Sequence, residues 1–135
     1  MQLNIRRLTE NDWPILENWW SSWKGWAAPP RDFLPDNGLG GLLVESDGAP
    51  VVAGFIYFTN SKGALLEWII SNPEYKENDR DEAIELLIVA AENILRDQGV
   101  KYIFSICRNP NLINKFKKLK FSVSDDHSYE VIKKI

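Results

Sequence analysis

Residues 64–107 read ALLEWIISNPEYKENDRDEAIELLIVAAENILRDQGVKYIFSIC, and their pattern constrains how the rest of the chain folds. Residues 64–71 form an apolar run typical of a buried strand, which Pro73 ends. Apolar side chains then recur at i, i+3 and i+4 over residues 83–94, which predicts a helix. Residues 100–107 form a second apolar strand. Because a helix joins the two strands, we expect them to pair in parallel.

The elements on either side of this crossover favour antiparallel pairing. Asp47-Gly48 provides a tight turn between predicted strands at residues 41–45 and 51–58, and Asn109 caps a final helix. The remaining predictions are a first strand at residues 3–6, a helix from Trp13 to Gly25, a loop over residues 24–40 and one or two closing strands in residues 121–135. This order predicts an α+β fold: a mixed, mostly antiparallel sheet of six or seven strands, with helices on both faces and one parallel strand–helix–strand crossover.

Length and composition indicate one domain with one core. The 135 residues are 44% apolar and 26% charged, as in ordinary globular proteins. Cys107 is the only cysteine, so no internal disulfide can form and a cytoplasmic location is expected. The net charge of −3 argues against nucleic-acid binding, and no apolar run is long enough for a membrane span. His127, the only histidine, has no partner at ligand spacing, so no metal site is expected.

Three segments, in order, resemble the GNAT superfamily of acyl-CoA N-acyltransferases. ESDGAPVVAGFI at residues 45–56 is similar to the family's second and third strands. LEWIISNPEYK at residues 66–76 resembles its fourth strand with a proline-marked exit. Asn109, with FKKLKF at residues 116–121, resembles its late helix and the start of the next strand. The resemblance covers nearly the whole chain and implies a single N-acetyltransferase domain over residues 1–135, with acetyl-CoA as co-substrate.

The resemblance also implies where acetyl-CoA binds. In this fold the fourth and fifth strands splay apart, and the pantetheine arm pairs with fourth-strand backbone, here Ile69, Ile70 and Ser71. The pyrophosphate lies at the N-terminus of the following helix, where free N–H groups and the helix dipole favour an anion. Lys76 and Arg80 are available there to neutralise the diphosphate.

Three positions depart from the family's pattern, two in the pyrophosphate loop and one in the late helix. Asp79 and Asp81 replace small residues of the pyrophosphate loop, so their carboxylates repel phosphates, and either one is also a natural N-cap. Phe116 stands where many members have a tyrosine that protonates the leaving thiolate, although it and Asn109 are still expected to border the cofactor. A thiolate with a pKa near ~8.5 can leave without that acid. A basic stretch nearby is interpreted mainly as a solvated face, with contact to the 3′-phosphate as the alternative: Arg108, Lys115, Lys117, Lys118 and Lys120.

Glu67 is the candidate general base. The resemblance implies that a carboxylate at this fourth-strand position deprotonates the incoming amine. A solvated glutamate on a strand is the alternative interpretation. Because side chains alternate along a strand, Trp68 is expected on the opposite face, in the core.

Five of the six tryptophans lie within residues 13–26, which is more large rings than one helix buries. The resemblance implies that this region walls the acceptor site with Trp19, Trp23, Trp26 and Phe33. An aromatic wall suits an amine, because a cation over an indole face gains ~0.5–2 kcal/mol. Helical spacing predicts that Trp19 and Trp26 are the freer rings. A hydrophobic homodimer interface is the alternative.

Together these features favour transfer of an acetyl group from acetyl-CoA to a primary amine of a small molecule or peptide, by direct attack. One alternative is a catalytically degenerate domain of the same fold that serves as a binding or assembly module. A second is a tryptophan-lined protein-interaction domain unrelated to acyl transfer.

Overall fold

The structure is a computed structural model that describes residues 2–23, 27–124 and 128–135. Within these ranges the chain forms five strands, three α-helices and short 3-10 turns. The strands are β1 (Leu3–Arg7), β2 (Gly41–Ser46), β3 (Ala49–Phe58), β4 (Gly63–Ser71) and β5 (Tyr102–Phe104). The α-helices are α1 (Trp13–Ser22), α2 (Arg80–Asp97) and α3 (Pro110–Lys118), and the 3-10 turns are Glu10–Asp12, Arg31–Phe33 and Pro35–Gly38.

The strands form a single sheet in the order β1-β2-β3-β4-β5. Neighbours from β1 to β4 are antiparallel, whereas β5 returns through α2 to pair in parallel with β4. The β2–β3 turn places Asp47 at φ 49° and Gly48 at φ 84°, the left-handed conformations that a tight hairpin needs. The structure thus confirms the mixed sheet, the hairpin and the parallel crossover.

The sheet has fewer strands than the six or seven predicted. Residues 121–124 and 128–135 form no strand, so the predicted closing strands are absent from this described part of the tail. β5 spans three residues rather than the predicted 100–107. The apolar alternation there is real, but the chain leaves β4 after Phe104 and a strand without a partner forms no ladder.

Helices cover both faces of the sheet, as predicted. On one face α2 packs its fully buried Leu87 and Ala91 onto β2 and β3, and Phe116 of α3 joins the same core. On the other face, Trp20 of α1 stacks on Phe55 of β3 with ring centroids 6.3 Å apart. The sheet is therefore the middle of three layers, so a site on it is open only where the helices leave a gap.

The prediction for Trp19 was wrong. Its side chain is 3% exposed and lies in the α1-side core with Leu16 and Trp20. Positions i+3 and i+4 from Leu16 share one helix face, so both tryptophans turn towards the sheet. Trp23 follows the end of α1 in an extended conformation and is partly buried. Trp26 lies outside the described residues.

Candidate active site

The ladder between β4 and β5 stops half-way along β4. Pairing runs from Gly63↔Tyr102 to Leu65↔Phe104 and goes no further, although β4 continues to Ser71. The edge of residues 66–71 that faces β5 therefore has no strand partner in the described chain. As predicted from the resemblance, β4 and β5 therefore do not pair along their full length.

A bulge distorts β4 beside this opening. Ile70 pairs with Ala53 and Glu67 pairs with Phe55, so Trp68 and Ile69 together face one residue of β3. Trp68 adopts φ 56°, a left-handed conformation that is costly for a bulky residue. Its ring is only partly buried, against the α1-side core, rather than fully in the core as predicted. Bulges turn a strand and redirect its side chains, which suits a strand that must diverge from its neighbour.

Glu67 lies at the point where β4 and β5 separate. Its carboxylate accepts a hydrogen bond from the Ile106 N–H at 2.6 Å, across the start of the opening. Burial, and to a smaller extent the nearby charge of Glu130, raises the pKa of Glu67 to about 7, although the Ile106 N–H and the Ser105 hydroxyl oppose the rise. A carboxylate with this pKa can accept a proton near neutral pH and is not the fully solvated surface glutamate of the alternative interpretation.

A cleft of about 360 Å³ opens beside the far end of β4. It is bordered by Ile69 and Ser71, by Arg80 in the first turn of α2, and by the start of α3 at Asn109. Two helix N-termini therefore meet at one cleft, where both dipoles favour an anion; Asn109 already accepts from the first N–H groups of α3, so of these two helices only α2 offers N–H groups there. Its complete lining is Trp23, Ile69, Ser71, Arg80, Asp81, Ile84, Asn109, Asn111, Leu112 and Lys115.

Asp79 occupies the N-cap position of α2, but its side chain does not cap the helix. The buried carboxylate instead accepts hydrogen bonds from the Ser46 hydroxyl and the Tyr75 hydroxyl, each at 2.6 Å. The Ser46 bond is the main cause that lowers the pKa of Asp79. The prediction that the Asp79 side chain caps α2 was wrong. Ser46 in β2 and Tyr75 in the loop before α2 donate to its carboxylate instead. The first turn of α2 keeps N–H groups that no capping side chain occupies.

Arg80 and Trp23 close the end of the cleft nearest α1. Arg80 donates from Nη2 to Ser71 Oγ at 2.7 Å, and its guanidinium lies 5.8 Å from the centroid of the Trp23 ring. Trp23 Nε1 donates to the carbonyl oxygen of Ser71 at 3.0 Å. The Ser71 carbonyl on the open edge of β4 therefore already has one donor, while Ile70 pairs with Ala53 of β3.

Asp81 and Lys115 form an ion pair across the cleft, with Asp81 Oδ1 and Lys115 Nζ 3.0 Å apart. The Lys115 side chain is 12% exposed, whereas that of Asp81 is 76% exposed. Lys115 therefore lines the site, and sequence spacing alone did not separate it from the other lysines of α3. A shallow depression beside the pair is bordered by Lys76, with Glu77 and Asn78.

Of the two α3 residues predicted to border the cofactor, Asn109 lies at the cleft and Phe116 does not. Asn109 caps α3, accepting from the N–H groups of Asn111 and Leu112, and borders the cleft. Phe116 is 3% exposed and packs edge-to-face on Phe121, 4.8 Å between ring centroids. It is a core residue and does not border the cleft, because the apolar stripe of α3 turns it under α2.

Among the described residues of the predicted acceptor wall, Phe33 is the exposed ring, and Trp26 lies outside the described residues. Trp19 is in the core and Trp23 lies at the cleft near α2, whereas Phe33 is 45% exposed on the α1 side of the sheet. Its ring meets Trp68 edge-on, with centroids 6.0 Å apart. Tyr57, whose hydroxyl donates to the Phe33 carbonyl at 3.1 Å, was missed because nothing in its spacing marks it.

Three solved structures illustrate what this fold is similar to. A ribosomal-protein-alanine N-acetyltransferase of Escherichia coli aligns with a TM-score of 0.72 at 16% identity, over 91% of this chain and 79% of its own. N-acetylglutamate synthase of Neisseria gonorrhoeae, complexed with coenzyme A and N-acetyl-glutamate, aligns at 0.71 and 15%, over 93% of this chain and 29% of its own. An aminoglycoside acetyltransferase from an uncultured soil metagenomic sample aligns at 0.65 and 16%, over 97% of each chain. The chain therefore has the GNAT fold.

Other comparisons add no further family evidence. No protein-family model and no curated protein matches the sequence. Among the described residues, no three His, Cys, Asp or Glu side chains are grouped so as to hold a metal ion. The same part of the chain contains no helix with the length and hydropathy of a transmembrane span.

Proposed function

We propose that this chain is an acyl-CoA-dependent N-acyltransferase that transfers an acetyl group from acetyl-CoA to a primary amine of a small molecule or peptide. The observation that carries the proposal is the unpaired edge of β4 between residues 66 and 71. An extended arm with amide groups binds such an edge as an added strand, through the main chain. The similar fold of the acetyltransferases described above supports the same reading.

The surroundings of the opening fit the co-substrate. Ile69 and its neighbours on the open edge of β4 offer backbone for the pantetheine arm, and the cleft beside Ile69 ends at the first turn of α2. Arg80 and Lys115 supply positive charge there, and the N–H groups of that turn are not occupied by Asp79. Cationic side chains and helix N-termini are the usual partners of a diphosphate. Lys76 borders the adjacent depression and is placed to add a further charge.

In the proposed reaction, a neutral amine nitrogen attacks the thioester carbonyl carbon. A C–N bond forms, the C–S bond breaks, and the sulfur leaves as a thiolate that takes a proton from water. Glu67 accepts the proton that the amine nitrogen loses, and a backbone N–H near Ile70, on the open edge of β4, polarises the carbonyl oxygen. The Phe116 side chain is buried in the core and donates nothing. Holding both reactants at the opening supplies most of the rate, because a bound pair replaces a bimolecular encounter.

The test is acetyl transfer by the purified chain, measured as thiol release from acetyl-CoA in the presence of a panel of primary amines. Glu67→Gln should lower kcat by about 10²-fold or more, since general-base catalysis contributes at least that much. Its affinity for acetyl-CoA should not change. Glu92→Gln, on α2 and away from the opening, is the matched control and should retain full activity. Equal rates for the Glu67→Gln variant and the wild type would remove Glu67 from the mechanism.

A second candidate function is a binding or assembly module of the same fold without turnover. The observation in its favour is the Asp81–Lys115 ion pair, which places a carboxylate where a diphosphate would bind. Such a module would release no thiol from acetyl-CoA with any amine in the panel. If the chain also fails to bind acetyl-CoA, the remaining hypothesis is a protein-interaction domain. For that case we propose a homodimer as the first assembly to test.

A further inference from the structure

Exposed apolar side chains lie on the β5 side of Glu67. Strand register places Tyr57, Leu65 and Phe104 in one row across β3, β4 and β5, on the sheet face that α1 covers elsewhere. Phe104 is 61% exposed, and Ile106, two residues further along, is 44% exposed. Phe104 and Ile106 are exposed beside the partly buried Tyr57 and Leu65, so these side chains form an apolar surface that is open to a ligand.

A second group of apolar side chains lies on the other side of Glu67. Trp68 is its chain neighbour, and the exposed Phe33 ring packs edge-on against Trp68. The hydrogen bond from Tyr57 to the Phe33 carbonyl fixes this turn against β3. We define the apolar acceptor surface as Phe33, Tyr57, Leu65, Trp68, Phe104 and Ile106.

The charge at the centre of this surface is acidic. Among the described residues, the polar and ionisable groups that shift the pKa of Glu67 are the Ile106 N–H, the Ser105 hydroxyl and the Glu130 carboxylate, and none of these is a cation. Burial, and to a smaller extent the charge of Glu67, in turn raises the pKa of the Tyr57 hydroxyl and of the Cys107 thiol, and neither of these groups is cationic. A carboxylate ringed by apolar and aromatic groups attracts a cation with an apolar body, because aromatic faces add to the attraction.

We propose that the acceptor is a primary amine carried on an apolar body, an arylalkylamine or alkylamine, whose ring or chain packs on the apolar acceptor surface while its nitrogen meets Glu67. This inference rests on the proposed function for the reaction, but the amine affinity of the surface can be measured without any acetyl transfer. An amine with a carboxylate close to its nitrogen is disfavoured, since a second negative charge would lie beside Glu67 and Glu130.

Calorimetry with 2-phenylethylamine and ethylamine tests this inference without any turnover. The wild type should bind 2-phenylethylamine at least about tenfold more tightly, since burying a phenyl ring stabilises by about that factor or more. Phe104→Ala and Phe33→Ala should each remove most of the difference. Phe58→Ala is the matched control: Phe58 is 59% exposed but follows Tyr57 directly along β3, and so lies on the other sheet face. Equal affinity for the two amines overturns the inference, as does a preference that survives both variants.

Transfer kinetics separate this inference from the proposed function. A higher kcat/KM for 2-phenylethylamine than for ethylamine, reduced by Phe104→Ala and kept by Phe58→Ala, supports both. Equal kcat/KM values for the two amines leave the acetyltransferase standing and overturn the acceptor class. Tight, Phe104-dependent amine binding with no acetyl transfer supports the surface and overturns the enzyme.

A second copy of the chain is the other occupant that would cover this surface. Sedimentation of the wild type and the Phe104→Ala variant distinguishes it. A monomer in both cases supports the amine surface. A dimer that Phe104→Ala dissociates, with an amine affinity that does not change, overturns it.

Discussion

At the scale of single residues, Glu67 is where burial and chemistry conflict. A glutamate prefers water, yet this one is held at the point where β4 and β5 separate, with the Ile106 N–H as its hydrogen-bond donor. Burial favours the protonated form and raises its pKa to about 7, while the N–H favours the ionised form. The residue therefore exchanges a proton at neutral pH, at some cost to the stability of the folded chain.

That cost is measurable as a pH dependence of stability. Because the folded pKa of about 7 lies above the ordinary 4.5, the folded chain binds the extra proton between these values. The free energy of unfolding should therefore fall as pH rises from 4.5 to 7, by about 1–2 kcal/mol, because solvent screens a half-buried group. Glu67→Gln should not show this fall. Denaturant unfolding of the wild type and of Glu67→Gln at pH 5 and pH 8 provides the comparison. An equal change in the free energy of unfolding between the two pH values for both proteins would contradict the prediction.

Asp81 should oppose acetyl-CoA binding. Its exposed carboxylate is ion-paired with Lys115, so it offsets the positive charge of that lysine in the cleft. Asp81→Asn keeps the shape, removes the charge and frees Lys115, so affinity for acetyl-CoA should rise by about three- to tenfold, the value of a partly screened charge. Calorimetry checks this, with Asp97→Asn at the far end of α2 as control. Weaker or unchanged binding would mean that the phosphates do not lie beside Asp81.

At the scale of elements, the helices and the hairpin were well predicted from the sequence because local chemistry determines them. Apolar spacing positioned α2, Gly99 adopts φ 81° after it, and Asn109 caps α3 as predicted. The predicted side-chain cap by Asp79 was wrong because its carboxylate is held by the nearby Tyr75 hydroxyl and by the Ser46 hydroxyl, which comes from β2, distant in sequence. The burial of Trp19 also depended on the sheet, against which both i+3 and i+4 positions of α1 pack.

The α3 N-cap allows charge to be tested apart from structure. The Asn109 side chain accepts from two N–H groups and borders the cleft, so Asn109→Ser and Asn109→Asp should both keep the cap. Asn109→Ala should cost about 1 kcal/mol of stability. Only Asn109→Asp adds a negative charge to the cleft, so only this variant should weaken acetyl-CoA binding at full stability. Equal binding by the Ser and Asp variants would place the phosphates elsewhere.

At the scale of the whole molecule, the sheet separates two sites that meet at one opening. The cleft between α2 and α3 lies at one end of β4, and the apolar acceptor surface lies on the face shared with α1. The opening between β4 and β5 was predicted from the resemblance. Composition and periodicity alone predict a strand on each side of α2 and do not predict that the two strands separate. The number of strands was overestimated, because an alternating pattern in the tail does not reveal whether a partner strand is within reach.

Acetyl-CoA should stabilise the entire domain if it bridges these parts. A ligand that contacts β4, α2 and α3 together binds only the folded chain, since the three are far apart in sequence. At about 100 times its dissociation constant it should add about 2.7 kcal/mol to the free energy of unfolding, seen as a rise in Tm. Acetyl-pantetheine, which lacks the diphosphate, should give a smaller rise at the same concentration, and Glu67→Gln should show the full rise with acetyl-CoA. The absence of any rise at millimolar acetyl-CoA would mean that the unpaired edge of β4 serves another purpose.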